Sequence, residues 1–141
     1  MKTPIHLWIV GVLSLFWNSG GAYDYVMTQT NNADYLAMLT EAQRAFLDQG
    51  PLWFEAAWAV GVWFSVAGSI LLLLRSHWAG SAFALSLIGL IVSSIYSFVV
   101  AEPSTLVMMT MSQAAFSAAI YIVLILLWIY ARAMTRKGVL T

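Results

Sequence analysis

The chain has no cysteine, only three prolines, and charged side chains at just 9% of its positions. Without cysteine there is no disulfide, no thiolate nucleophile and no thiolate-ligated metal, though this alone does not name the compartment. Six Lys and Arg balance six Asp and Glu, so the basic face that a nucleic-acid partner needs is missing. Against so few charges stand hydrophobic residues at 62% of positions and a mean hydropathy of +0.84. A soluble domain of this size could not hide that much apolar surface, whereas a bilayer accepts it. Seven Trp and six Tyr fit the same reading, because amphipathic rings gather where hydrocarbon meets water.

A hydrocarbon core of roughly 30 Å needs about 20 helical residues to cross it. Four stretches qualify, approximately 5–28, 52–74, 78–100 and 106–130. Only Arg75, Ser76 and His77 separate the second from the third, which requires a tight antiparallel hairpin. Pro103 blocks continuation of the third span, and Ser104 or Thr105 is placed to cap the fourth. The long connection, 29–51, is polar but patterned. Asn32 can cap a turn through Leu36, and Thr40 with Gln43 has capping-box spacing for a short helix ended by Gly50-Pro51, with Pro51 suited to the first position of the second span. Leu36, Leu39, Phe46 and Leu47 give this segment an apolar side that can lie on the membrane or over the bundle mouth.

Lys2, Arg75, Arg132, Arg136 and Lys137 fall on one side of such a bundle, and Arg44 alone falls on the other with Asp34, Glu41, Asp48 and Glu102. The positive-inside rule puts both termini in the cytoplasm and the long loop outside. So firm a bias argues against a dual-topology protein of the small multidrug-transporter kind. The expectation is an all-α integral membrane four-helix bundle, one transmembrane domain over residues 1–141, with a short helical extracytoplasmic loop between the first two spans. A leader peptide is the rival reading of the first stretch, with Lys2, an apolar core and Gly20-Gly21-Ala22 before a cut. A retained span is expected instead.

Projected at about 100° per residue, each span has one stripe of small and polar positions. Helix packing accounts for Gly11, Ser14 and Gly21 on the first, Ala57, Gly61, Ser65 and Gly68 on the second, Ala82, Ser86 and Gly89 on the third, and Ser117 on the fourth. Larger polar groups reach similar depth in the outer half. Asn18, Tyr25, Glu55, Ser93, Tyr96 and Gln113 are therefore expected to line an outward-facing polar pocket. Asn18 and Gln113 could instead bond one another or nearby serines and hold the bundle in register. Glu55 suits the first turns of a helix on dipole grounds alone.

His6 and His77 lie near the cytoplasmic surface without further ligands, so no metal and no cofactor is assigned. No nucleophile with a base, phosphate loop or carboxylate pair stands out, and an enzyme is not expected. Trp17, Trp58 and Trp63 lie deeper than the interfacial belts and could stack on a sugar, quinone or pigment, although bundle packing is their commoner use.

The stretch from Trp17-Asn18-Ser19-Gly20-Gly21-Ala22-Tyr23-Asp24-Tyr25 to Thr30, with Tyr35-Leu36, Thr40-Glu41-Ala42-Gln43, Gly61-Val62-Trp63, Gly68-Ser69, Leu71-Leu72-Leu73-Leu74-Arg75 and Tyr130-Ala131-Arg132-Ala133-Met134, resembles a proteobacterial family of short four-span membrane proteins. Members are often named as sugar transporters. The resemblance covers most of the chain and implies a bacterial inner-membrane location and, more distantly, sugar transport. Four helices enclose little free interior, so a solute path would need an oligomer or partner. The expected role is an accessory or structural component that contacts lipid and either another membrane protein or its own copies. The alternative is an oligomeric small-solute carrier built around the outer polar pocket.

Overall fold

The computed structural model describes residues 3–101, 104–105 and 109–141. Four helices are long and apolar enough to cross a membrane: α1 (Ile5–Gln29), α4 (Leu52–Leu73), α5 (Trp78–Ile95, continued to Val100 by a π-helical turn) and α6 (Met111–Arg136). Two short helices, α2 (Ala33–Leu36) and α3 (Glu41–Asp48), fill the connection between α1 and α4. No strand occurs among the described residues. This all-helical architecture is compatible with a multi-pass membrane protein.

The helix ends follow from local chemistry. Asn31, Arg75 and Gly138 take left-handed backbone conformations just past α1, α4 and α6. At each, two N–H groups turn back onto the last helical carbonyls; Arg75 N donates to Leu72 O and Ser76 N to Leu71 O. That is the Schellman arrangement, which satisfies carbonyls no further turn would reach. At the starts, Asn32 accepts from Tyr35 N, while Thr40 and Gln43 form the expected reciprocal box on α3. Pro51 precedes the first residue of α4 instead of being that residue.

The fourth span departs most from expectation. Its anticipated start at Leu106 lies outside the described residues, as do Lys2, Glu102 and Pro103. Met109 and Thr110 are non-helical, and Thr110, not Ser104 or Thr105, is the cap. Thr110 Oγ1 accepts from Gln113 N, and Gln113 Oε1 accepts from Thr110 N. A Thr-x-x-Gln box outcompetes the earlier hydroxyls because it satisfies two otherwise orphaned donors at once. The apolar run also carries α6 on to Arg136, a basic residue that complements the dipole at that end.

Helices α4 and α5 form the closest pair, joined by the tight hairpin; α1 packs on α4 and α6 on α5. A Cβ on Gly89 would come within 2.6 Å of Gly61 N and 2.7 Å of Ala57 O, so the two backbones touch there. Ser86 Oγ donates across the same contact to Gly61 O. Gly68 makes room for the ring of Phe83, and Gly11 for Leu73. Backbone approach through small residues is how helices associate where no water drives them together.

One end of the bundle is solid. Leu7, Leu72, Ala79, Phe83 and Ala131 are wholly buried there, joined by Leu127, Met134 and Leu140. The same end ties the chain together: Arg75 Nη1 donates to Thr3 Oγ1, Thr141 N to Arg75 O, and His77 Nδ1 meets Thr141 O. His6 meets the Tyr130 hydroxyl.

At the opposite end Phe46 of α3 packs on Phe54 and Tyr96, with ring centroids 5.6 and 5.5 Å away, while Phe54 and Tyr96 lie 4.6 Å apart. An eight-residue helix does not hold itself, so this cluster keeps α3 over the bundle. In Phe46→Ala, amide exchange over 41–48 should quicken by about tenfold or more while the spans keep their protection. Unchanged exchange would show that α3 is held by something else.

Candidate functional site

The buried polar centre grows from Asn18 on α1. Its Nδ2 donates to Ser65 O at 3.1 Å and to Ser69 Oγ at 2.9 Å. Ser65 O can only accept, so the amide nitrogen must be the atom facing α4. Ser14 Oγ lies 2.8 Å from Ser69 Oγ and donates to Gly11 O. One hydroxyl carries one proton, so the direction runs from Asn18 to Ser69 to Ser14 to the Gly11 carbonyl. This chain binds α1 to α4. Ser69 is wholly buried and is its hub.

Asn18 has a second face. Its Oδ1 accepts no hydrogen bond from the described residues, yet the side chain is about nine-tenths buried. Among the described residues only Thr105 Oγ1 is both sealed and without a partner, so the Asn18 oxygen meets open space. That space is a central cavity of about 520 Å³ between α1, α4, α5 and α6. Asn18, Gly20, Gly21, Trp58, Ser65, Ser93 and Phe116 are among its walls. Asp24, Trp58, Leu90, Ser93 and Ile120 also line a second cavity, about 400 Å³, beneath α3 and between α5 and α6. The two therefore adjoin, and both lie toward the α3 end.

Among the described residues Asp24 is the only charged one in either lining. The Tyr35 hydroxyl donates to its Oδ1, which pins α2 over the end of α1. Burial chiefly, then the Asp24 hydrogen bond and negative charge, push the Tyr35 phenol above its usual value. It stays a neutral donor throughout the physiological range. Arg44 Nε donates to Leu36 O and ties α3 to α2, so the two short helices form one cover.

The six residues expected to share one pocket are distributed. Asn18 and Ser93 line the central cavity, Ser93 and Gln113 the adjoining one, and Glu55 a third, about 420 Å³, with Arg44 and Asp48 on the α3 side. Tyr25 lies edge-on to Trp58 and Trp63, and Tyr96 is buried among Phe46, Phe54 and Trp53; neither lines any of these three cavities. The Asn18–Gln113 pairing does not form. Gln113 belongs to the first turn of α6 and serves its cap, because that helix starts later than the hydropathy run implies.

Most packing positions meet a neighbouring helix: Gly11, Ser14, Ala57, Gly61, Ser65, Gly68, Ala82, Ser86 and Gly89 lie in or against the contacts between α1, α4 and α5. Gly21 faces Val62 of α4 and borders the central cavity, and Ser117 borders the adjoining one. Sequence reasoning overlooked Ser69, although it lies one turn beyond Ser65. It also overlooked the bond between Asp24 and Tyr35, and the one between Ser94 and Tyr121 that joins α5 to α6.

Between α1 and α6 the contact is made by side chains, with Trp17 and Phe116 rings 5.6 Å apart. Both rings belong to the cavity wall, so this seam is its lateral boundary. No family model, curated protein or solved structure matches the chain.

Proposed function

We propose that this protein is a ligand-receiving accessory component of a bacterial inner-membrane assembly, with its cavities open toward the extracytoplasmic side. The observation that carries this is the asymmetry of the interior: side chains fill the bundle at the Arg75 end, and adjoining cavities hollow it at the α3 end. A chain closed at one end can hold a small solute but offers no route through itself. Arg75, Arg132, Arg136 and Lys137 gather at the filled end, which the positive-inside rule assigns to the cytoplasm. The family resemblance supports the bacterial inner membrane.

The carrier reading keeps one specific support, the α1–α6 seam, where copies meeting side by side could extend the central cavity into a path. The two readings part in mild detergent. An accessory component is recovered in a heteromeric complex by native mass measurement, and a chain found alone or only with itself defeats that reading. A carrier moves solute: flux above empty liposomes across a sugar panel would establish it, and none would remove the sugar version. In either case Asn18→Leu should weaken solute binding by about tenfold, since it removes an amide oxygen that accepts from no described residue. Undiminished binding in that variant would place the solute elsewhere.

A further inference from the structure

We infer that the central cavity binds the ammonium group of a small amine, between the Asn18 carbonyl oxygen and the Asp24 carboxylate. The inference rests on the ligand-receiving reading above and names the chemistry of that site.

The hydroxyl and amide protons of the lining are turned away from the cavity. Ser65 Oγ donates to Val62 O at 2.7 Å, Ser93 Oγ to Leu90 O at 2.9 Å, and Ser86 Oγ to Gly61 O. Both amide protons of Asn18 go to α4, and the Tyr35 proton goes to Asp24. Every hydroxyl and amide proton of the lining is thus committed, which leaves the indole N–H groups of Trp17 and Trp58 as its side-chain donors and the Asn18 and Asp24 oxygens as its strongest acceptors. An ammonium brings several donors and no lone pair, so it can serve the Asn18 oxygen and the Asp24 carboxylate together, whereas a single hydroxyl has one proton to give.

Charge points the same way. Among the described residues the lining has one carboxylate and no cationic side chain. Tyr35 occupies one Asp24 oxygen, and a carboxylate offers about four acceptor positions, so capacity remains. Trp17, Trp58 and Phe116 add aromatic rings, whose faces attract cations and whose bodies accept an apolar substituent.

The test uses the full chain in choline-phospholipid vesicles, with benzylammonium as probe and benzyl alcohol as its neutral counterpart, empty vesicles correcting for partitioning. Tryptophan fluorescence and equilibrium dialysis should show saturable binding of the amine and far weaker binding of the alcohol. Asp24 is exposed at the end of α1, so Asp24→Asn should keep the wild-type melting temperature while weakening the amine roughly tenfold or more. Equal binding of amine and alcohol, or undiminished amine binding by Asp24→Asn, would overturn the inference and leave a cavity for neutral solutes. If amine, alcohol and glucose all fail to bind, the ligand-receiving reading falls with it. Adding ethanolamine phospholipid separates the sources: displacement of the probe identifies a lipid headgroup as the amine, and no displacement identifies a free one.

Discussion

Gly89→Ala is expected to destabilise the bundle by about 2–3 kcal/mol, a large effect for one methyl group. The added carbon would sit 2.6 Å from Gly61 N and 2.7 Å from Ala57 O. Backbone atoms of a helix cannot swing aside as a side-chain end can, so α4 and α5 must separate. Separation also breaks the Ser86 bond to Gly61 O and loosens the closest helix pair in the protein. Nothing compensates, because between helices in lipid attraction comes from close packing, with no water to expel. Gly20→Ala is the control. No atom lies within 4 Å of the position its Cβ would take, and alanine is the better helix former, so stability should hold or rise slightly. Thermal unfolding in detergent and denaturation by SDS would read both variants; a Gly89→Ala protein that melts with the wild type would mean that α4 and α5 do not touch there.

Phe83→Ala should cost a similar or larger amount, about 3 kcal/mol, for the opposite reason. Phe83 is the largest wholly buried side chain and belongs to the cluster that closes the Arg75 end. Its removal leaves a void among Leu7, Leu72, Ala79 and their neighbours, whose contacts are lost outright if the helices cannot collapse. The ring also explains Gly68, since a Cβ there would stand 2.6–2.9 Å from three ring carbons. The two positions must couple. Gly68→Ala should be costly with Phe83 present and much less so beside Phe83→Leu, giving a clear interaction energy in a double-mutant cycle. Additive effects would show that Gly68 does not serve the ring. Opening the filled end has a functional readout too: Phe83→Ala vesicles should leak small solutes if this plug is what closes the interior.

The elements that the residues announced most directly are those governed by near neighbours in the chain. The box of Thr40 and Gln43, the Asn32 cap and the three-residue hairpin all depend on contacts a few residues apart. The start of α6 shows the limit of that approach. Hydropathy runs through the 106–110 region without a break, and only the competition between possible caps puts the helix start at Met111. The consequence reached the site, because Gln113 became a capping residue instead of a deep polar group.

For the site itself, spacing identified Gly11, Ser14 and Asn18 as one face of α1, and burial agrees. What spacing could not supply was rotation. Tyr25, expected in the pocket, turns toward Trp58 and Trp63, and Asp24, which is not among the expected pocket residues, reaches the cavity. A stripe about 100° wide leaves each helix free to turn through tens of degrees at little cost in pattern. The packed partner decides, and here it is the meeting of Gly61 with Gly89 and of Asn18 with Ser69.

By itself, then, the sequence determined the all-helical class, the four membrane-length apolar helices and the positions of most turns, because apolar length and capping chemistry are properties of the chain alone. Only the tertiary structure decided which end is filled and which is hollow, that Asn18 gives its protons to α4 and its oxygen to the cavity, and that Asp24 brings a charge beside it. Those outcomes depend on the relative rotation and depth of four helices, which is set by backbone contact at a few small residues far apart in the chain.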